Sequence, residues 1–314
     1  SAGADRVAAY DLFLRDEGIC RALNPDLVLR VGATPTSAAL QAWLQHHNGV
    51  RHIVVDAGQR WKDYGSTATD YVKADPEKTL GALVGRVDKS VDQDWASLWH
   101  TASRAARHAI DADEGDLHEG DVLATVAEVL PEGGNLFISS SMPVRDLDSF
   151  GLPREEQLMV FGNRGASGID GIVSSAFGVA AARPAPTVCV LGDIAFFHDQ
   201  NGLLWSREPD CPVVFVLIDN DGGGIFHMLP ITDHEPAFSQ FFATPHGLDF
   251  QHAAGIHNLD WSDLDISDLG TALASALESG RTSILRVTSD RETNTRRHEE
   301  IAEAVAQHVL DTLR

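Results

Sequence analysis

The chain has 314 residues, a formal net charge of −22 and a pI near 4.8, with Arg outnumbering Lys 20 to 4 and Asp outnumbering Glu 31 to 15. No basic footprint for nucleic acid or an anionic membrane is visible, and no apolar run reaches the roughly 18 residues of a membrane span. The length fits one large or two medium domains.

Asp26–Val31 is predicted as a buried strand ending at Gly32, Ser37–Trp43 as a helix and His52–Asp56 as a second strand. The stretch 60–75 is polar and turn-rich, and Leu80–Val87 is helical in pattern. Two strands make a thin sheet, so residues 1–90 are expected to be part of a Rossmann-like domain whose remainder lies upstream of Ser1. The acidic stretch Asp88–Asp94 is a candidate linker. A helix is predicted from Trp95 to about Ala112, then a polar break at Asp113–Gly120. Beyond it Val122–Val129 is helix, Leu136–Ser139 strand, Met159–Phe161 strand and Ile169–Ala182 helix. Val188–Leu191 is strand, Gly202–Trp205 helical, and Val213–Ile218 strand. Leu264–Leu277 is helix, Ser283–Val287 strand and His298–Leu313 helix. Alternating strands and helices predict an α/β fold with a doubly wound parallel sheet over 91–314.

Acid is spread along the whole chain, as on a solvated surface. Dense carboxylate with almost no Lys fits a halophilic setting, where salt screens the self-repulsion. No signal peptide is visible, and Cys20, Cys189 and Cys211 form no CxxC pair, so a reducing cytoplasm is expected.

Two strand-like runs end in oxygen-rich clusters. The first closes in Gly192-Asp193, the second in Asp219-Asn220-Asp221-Gly222-Gly223. The 26 residues from Ile194 to Asp219 are enough for a crossover helix between parallel neighbours. Both clusters then reach one carboxyl edge of a sheet, where open α/β sheets bind ligands. A carboxylate, an amide oxygen and a glycine carbonyl suit Mg²⁺, which keeps few protein ligands and completes its shell with water and phosphate. Asp193 and Asn220 can equally be turn residues after strands. Upstream, Gly162, Gly165, Gly168 and Gly171 lie within eleven residues between a strand and a helix. Such a loop lets backbone approach a ligand, and the following helix N-terminus offers N–H groups to an anion. His198, His227, His246 and His252 match no zinc spacing; His227 lies beside the predicted pocket.

The string Asn163-Arg164-Gly165-Ala166-Ser167-Gly168-Ile169-Asp170-Gly171 resembles a particular branch of the thiamine-diphosphate enzymes. So do Ser140-Ser141-Met142-Pro143-Val144-Arg145 before it and Asp219 to Phe226 after it, with His246–Phe250 and His252–Ala254. The branch is the 2-succinyl-5-enolpyruvyl-6-hydroxy-3-cyclohexene-1-carboxylate synthase family of menaquinone biosynthesis. The resemblance covers about 91–314 and, more weakly, 1–90 as the end of a central domain. The family's Gly-Asp-Gly opening carries Ile194 in third place here.

The resemblance implies thiamine diphosphate with Mg²⁺ (or Mn²⁺) held by Asp193, Asn220 and the Gly222 carbonyl. Gly192, Ile194 and Gly223 would frame the cofactor, and Ile169 would be the pillar that bends it. Ile225, Phe226 and Leu229 would wall the substrate pocket. Ser141, Arg145 and Arg164 would hold the carboxylates of 2-oxoglutarate and isochorismate, since an Arg fork binds carboxylate bidentately. Arg145 can equally pair on the surface with Asp146 or Asp148. Ser140 and Gly224 differ from polar residues of some relatives. Nothing in the chain resembles the family's pyrimidine-binding domain with its ring-activating Glu. The resemblance therefore implies a homodimer or homotetramer whose activity needs that domain, and little synthase activity from this chain alone. Two alternatives stay open: another thiamine-diphosphate decarboxylase or acetolactate-type carboligase, and a non-catalytic assembly module.

Overall fold

The computed structural model describes residues 6–58, 61, 63–87, 93–151, 153–155 and 157–314. Among these, 6–113 with 301–314 form one compact unit and 114–300 another. The division thus falls at 113/114, where the sequence had placed it at 90/91. The linker expected at 88–94 lies outside the described residues up to residue 92.

The smaller unit opens with α1 (Tyr10–Phe13) and α2 (Glu17–Ala22), the latter capped by the Asp16 carboxylate, which accepts the Ile19 N–H. Then come β1 (Leu27–Val31), α3 (Ala38–His46), β2 (Arg51–Val55), β3 (Asp70–Val72), α4 (Pro76–Val84) and α5 (Gln93–Asp111). Ser37 caps α3 through the Leu40 N–H, and Asp75 followed by Pro76 starts α4. The three strands are parallel, in the order β1-β2-β3. β3 corrects the expectation of two strands and of turns throughout 60–75. Three residues are too few to show a period, and β2 makes them a strand by pairing Ile53 with Asp70.

The larger unit runs α6 (Glu119–Val129), β4 (Asn135–Ile138), α7 (Met142–Phe150), β5 (Met159–Phe161), α8 (Ile172–Ala182), β6 (Thr187–Gly192), α9 (Asp193–Asp199) and β7 (Val214–Asp219). It continues with α10 (Gln251–His257), β8 (Asp260–Leu264), α11 (Leu269–Ser279), β9 (Ser283–Thr288) and α12 (Arg291–Leu313), whose last part belongs to the other unit. Six parallel strands lie in the order β5-β4-β6-β7-β9-β8. Alternate residues feed two cores. Cys189, Leu191, Phe215 and Leu217 pack with Ile172, Ala176 and Phe177 of α8. Val188, Val190, Val214 and Val216 pack with Leu123 and Val126 of α6 and Leu269 and Leu273 of α11. Burial on both faces explains the unbroken apolar runs of β6 and β7. The sheet is the doubly wound α/β arrangement expected.

Several boundaries differ from the predicted ones for local reasons. The helix expected from Ile169 starts at Ile172, because Gly171 turns the chain with φ 68°. The segment 202–205 lies in a 3₁₀ helix, Gln200–Arg207. β8 was missed and its Leu264 read as helix. It is an edge strand, paired only with β9 and half exposed, so its pattern is polar. α7 was not predicted, since Pro143 and three acidic or basic residues mask its helical pattern. Proline is tolerated in a first helical turn. No described helix is long and apolar enough to cross a membrane.

In the smaller unit, both terminal nitrogens of Arg30 donate to Asp63 Oδ1 at 3.2 Å, with side chains only 8% and 9% exposed. Burial pushes the Asp63 carboxyl up, but the Ala68 N–H, the Arg30 guanidinium and Thr67 outweigh it and hold the group below its ordinary value. The pair therefore adds stability above the ordinary carboxylate pKa, and that stability is lost as pH falls through the lowered value. Arg30→Met strands a buried carboxylate and should cost about 3–5 kcal/mol in chemical unfolding at neutral pH. The loss should shrink in acid; a neutral-pH cost below about 1 kcal/mol would contradict the role.

Candidate functional site

The chain order reverses between β4 and β6: β5 lies to one side of β4, and β6 to the other. Ligands bind outside the carboxyl ends of strands at such a switch point. A cavity lies there, lined by Ser140 and Ser141 after β4, Gly192 at the end of β6 with Asp193 and Ile194 after it, and Asn220 to Phe226 after β7, apart from Asp221.

Asp193 is 2% exposed at the first position of α9. Its Oδ1 accepts the Ile194 N–H at 2.6 Å, and its Oδ2 accepts the N–H groups of Asn220 and Gly222 at 3.2 and 2.8 Å. Burial pushes its pKa above the ordinary carboxylate value despite these donors, and the nearby Asp219 adds to the rise. Asp219 is compensated by Arg286, whose Nε lies 2.7 Å from its Oδ2.

Asn220 donates from Nδ2 to Glu119 Oε1 at 2.8 Å, while its Oδ1 is buried without a hydrogen-bond partner. Gly222 has φ 141°, and a Cβ on it would stand 2.1 Å from the Ala243 carbonyl oxygen. Only glycine fits that conformation and that space. The Gly222 carbonyl accepts the Gly224 N–H at 3.0 Å and keeps its second lone pair. A buried carboxylate, an orphaned amide oxygen and a glycine carbonyl form a hard-oxygen set able to take a divalent cation.

Ile169 packs against the core and lines the same cavity, and Ile225 and Phe226 also line that cavity. Leu229, Arg145 and Arg164 are not in its lining; Leu229 is 47% exposed. The two arginines nonetheless hold the turn after β4: Arg164 donates to Ser140 Oγ at 2.9 Å, and Arg145 to the Ser141 carbonyl at 2.6 Å. Ser140 thereby gains a contact. Ser141 sits at φ 74° and ψ −136°, a costly conformation for a residue with a Cβ and a mark of functional turns. Gly224 leaves room for the Asn220 amide, which a Cβ would meet at 2.7 Å. His227 is half-buried and packs edge-on against Phe238. At the N-terminus of α8, expected to offer N–H groups to an anion, the Ser174 N–H is taken by Asp199 at 2.7 Å.

Three participants escaped the sequence. Glu119 lines the cavity from the start of α6, 101 residues before its partner Asn220. His246 places Nε2 3.2 Å from Asp193 Oδ2, and its ligand atom lies with those of Asp193 and Asp219 within 4.8 Å. Spacing rules test ligands near in sequence, so His246, 53 residues on, matches no zinc spacing and is not linked by them to Asp193. Arg291 donates to the Asp221 carbonyl beside Gly222.

Residues 149–287 match the family described as thiamine pyrophosphate enzyme, C-terminal TPP binding domain. The chain is 40% identical over 300 residues to a 2-succinyl-5-enolpyruvyl-6-hydroxy-3-cyclohexene-1-carboxylate synthase of Halobacterium salinarum, covering 95% of this chain and 50% of that protein. It is 35% identical over 306 residues to the synthase of that name from Bacillus pumilus, covering 96% and 53%. Benzoylformate decarboxylase from Polynucleobacter necessarius shares the fold, with a TM-score of 0.61 at 18% identity over 85% of this chain and 49% of that one. The larger unit thus has the fold of a thiamine-diphosphate-binding domain. Over nearly its whole length the chain resembles proteins named 2-succinyl-5-enolpyruvyl-6-hydroxy-3-cyclohexene-1-carboxylate synthase, and it spans about half the length of the curated relatives it matches.

Gly222→Ala should destabilise the larger unit by at least about 1–3 kcal/mol, the cost of a non-glycine residue in such a conformation, with the clash against Ala243 added. Urea unfolding measures it; a change under about 0.5 kcal/mol would show that the loop relaxes freely.

Proposed function

We propose that this chain supplies the diphosphate half of a thiamine-diphosphate- and Mg²⁺-dependent synthase that decarboxylates 2-oxoglutarate and joins the remaining succinyl unit to isochorismate. The observation that carries this is the buried, unpartnered Asn220 Oδ1 beside Asp193 and Gly222, in a chain that resembles these synthases. Asp193, Asn220 and the Gly222 carbonyl would hold Mg²⁺ or Mn²⁺ and, through it, the diphosphate. Gly192, Ile194 and Gly223 frame that position, and Ile169 supports the cofactor from the apolar side. When bound, thiamine diphosphate supplies the nucleophilic carbon and the electron sink for decarboxylation.

The chain's own residues orient the acids. Arg145 and Arg164 are tethered to the same turn, so their charges gather at one sheet edge, with Ser141 between them in strained backbone. Both substrates are dicarboxylates, and fixed guanidinium forks select carboxylate. Ile225 and Phe226, with Leu229 one turn on, provide an apolar wall that keeps water from the reacting carbon. Both Arg145 and Arg164 favour this chemistry over that of smaller 2-oxo acids.

The cavity, of about 140 Å³, is smaller than the roughly 300–1,000 Å³ usual for small-molecule sites. That size suits the cation and diphosphate, with the cofactor's aminopyrimidine ring bound, and its activating Glu supplied, by a pyrimidine-binding domain in a homodimer or homotetramer. The acidic surface, together with relatives from salt-loving organisms such as Halobacterium salinarum, supports work at high salt in the cytoplasm.

Calorimetry on the protein assembled with a pyrimidine-binding domain should show thiamine diphosphate binding only with Mg²⁺, and Asp193→Asn should weaken it at least tenfold. Metal-independent binding in the wild type would sink the cation role. In the same assembly Arg145→Ala should raise the KM for 2-oxoglutarate about 10- to 100-fold, as expected for a lost charged hydrogen bond; an unchanged KM would remove Arg145 from the substrate site.

A further inference from the structure

Glu119 is the first residue of α6, 2% exposed, and it lines the cavity without belonging to the expected ligand set. Its position is fixed from two directions: its backbone N–H donates to Asn294 Oδ1 at 3.0 Å, and its Oε1 accepts the Ser289 hydroxyl at 2.6 Å. The same oxygen accepts Asn220 Nδ2 at 2.8 Å.

A side-chain amide has two faces of opposite chemistry. Rotated by half a turn, Asn220 would present NH₂ to the cation position, where it can only repel. A carboxylate oxygen accepts and does not donate, so it selects the NH₂ end. With Nδ2 held by Glu119, the carbonyl oxygen must point the other way from Cγ within the amide plane. There it is buried and has no partner, which is costly unless something electropositive completes it. Gly224 makes the arrangement possible, since a Cβ there would displace Nδ2.

We propose that Glu119 is a positioning residue for the cation site, fixing the Asn220 amide so that Oδ1 faces the metal and Nδ2 cannot. This role rests on the function proposed above. It predicts that Glu119 acts as a hydrogen-bond acceptor and not as an anionic ligand, so Gln, whose side-chain oxygen also accepts, should replace it where Ala cannot.

Two measurements separate this role from the function it rests on. In metal-free protein with labelled asparagine, exchange of the Asn220 side-chain amide protons should be slow in the wild type and Glu119→Gln, and at least tenfold faster in Glu119→Ala. In the assembled protein, calorimetry with thiamine diphosphate and Mg²⁺ should show affinity reduced about 10- to 100-fold in Glu119→Ala, the usual effect of removing a partner of a metal ligand, and within about threefold of wild type in Glu119→Gln. Unchanged affinity in a folded Glu119→Ala protein overturns the proposal. If Glu119→Ala does not fold, Glu119→Gln decides: a loss beyond tenfold makes the charge itself the ligand and overturns it, while near-wild-type binding with a protected amide upholds it. Failure of the wild type to bind with Mg²⁺ overturns the proposed function, and amide exchange still reports whether Glu119 holds Asn220.

Discussion

The Asp193 carboxylate ties the carboxyl ends of β6 and β7 into one edge. It takes backbone N–H groups from Ile194 on its own side and from Asn220 and Gly222 across the gap. Those donors sit at a strand end and would otherwise lack partners. The loop is fixed from the far side too, where the Gly223 N–H donates to the Ala243 carbonyl at 2.7 Å. Held between the two, the chain at Gly222 must adopt a conformation that only glycine tolerates. The direction of the Asn220 side chain and of the Gly222 carbonyl follow from that constraint. The switch in strand order between β4 and β6 then decides which turn faces them, the one carrying Ser140 and Ser141.

Charge is distributed unevenly around this edge. Asp219 is matched by Arg286, and Asp221 accepts the backbone N–H groups of His246 and Gly247, which hold its pKa down. Asp193 and Glu119 are raised, chiefly by burial, and Asp146 adds to the rise at Glu119. Deeper in, burial opposes a charge on His298, but Asp146, 2.8 Å from its Nε2, outweighs it and raises the imidazole. Two buried carboxylates beside an unpartnered amide oxygen are a costly arrangement without a cation and a favourable one with it. In a chain of net charge −22, Arg145 and Arg164, fastened to one turn, set positive charge locally against the acidic background.

The doubly wound sheet was legible because its central strands are buried on both faces and so appear as unbroken apolar runs. Asp193 and Asn220 stood out as candidates because each follows such a run after one intervening residue, Gly192 or Asp219. What escaped shares one cause: it depends on partners distant in sequence. β3 and β8 are strands only because β2 and β9 lie beside them. Glu119 looked like part of a polar break, and His246 like a loop residue, until the fold set them against Asn220 and Asp193. The Ser174 N–H at the start of α8 escaped for the same reason, since its acceptor Asp199 comes from another helix. Ser140 and Gly224, unexplained as letters, gain meaning as the acceptor for Arg164 and as the space for the Asn220 amide.

The central claim is that Asp193, Asn220 and Gly222 hold a divalent ion against a diphosphate. Mn²⁺ in place of Mg²⁺ makes this directly visible by electron–nuclear double resonance. With thiamine diphosphate added to the assembled protein, bound Mn²⁺ should show phosphorus coupling, which disappears in Asp193→Asn. Mn²⁺ bound with no phosphorus coupling, or with nitrogen coupling from His246 in its place, would contradict the account.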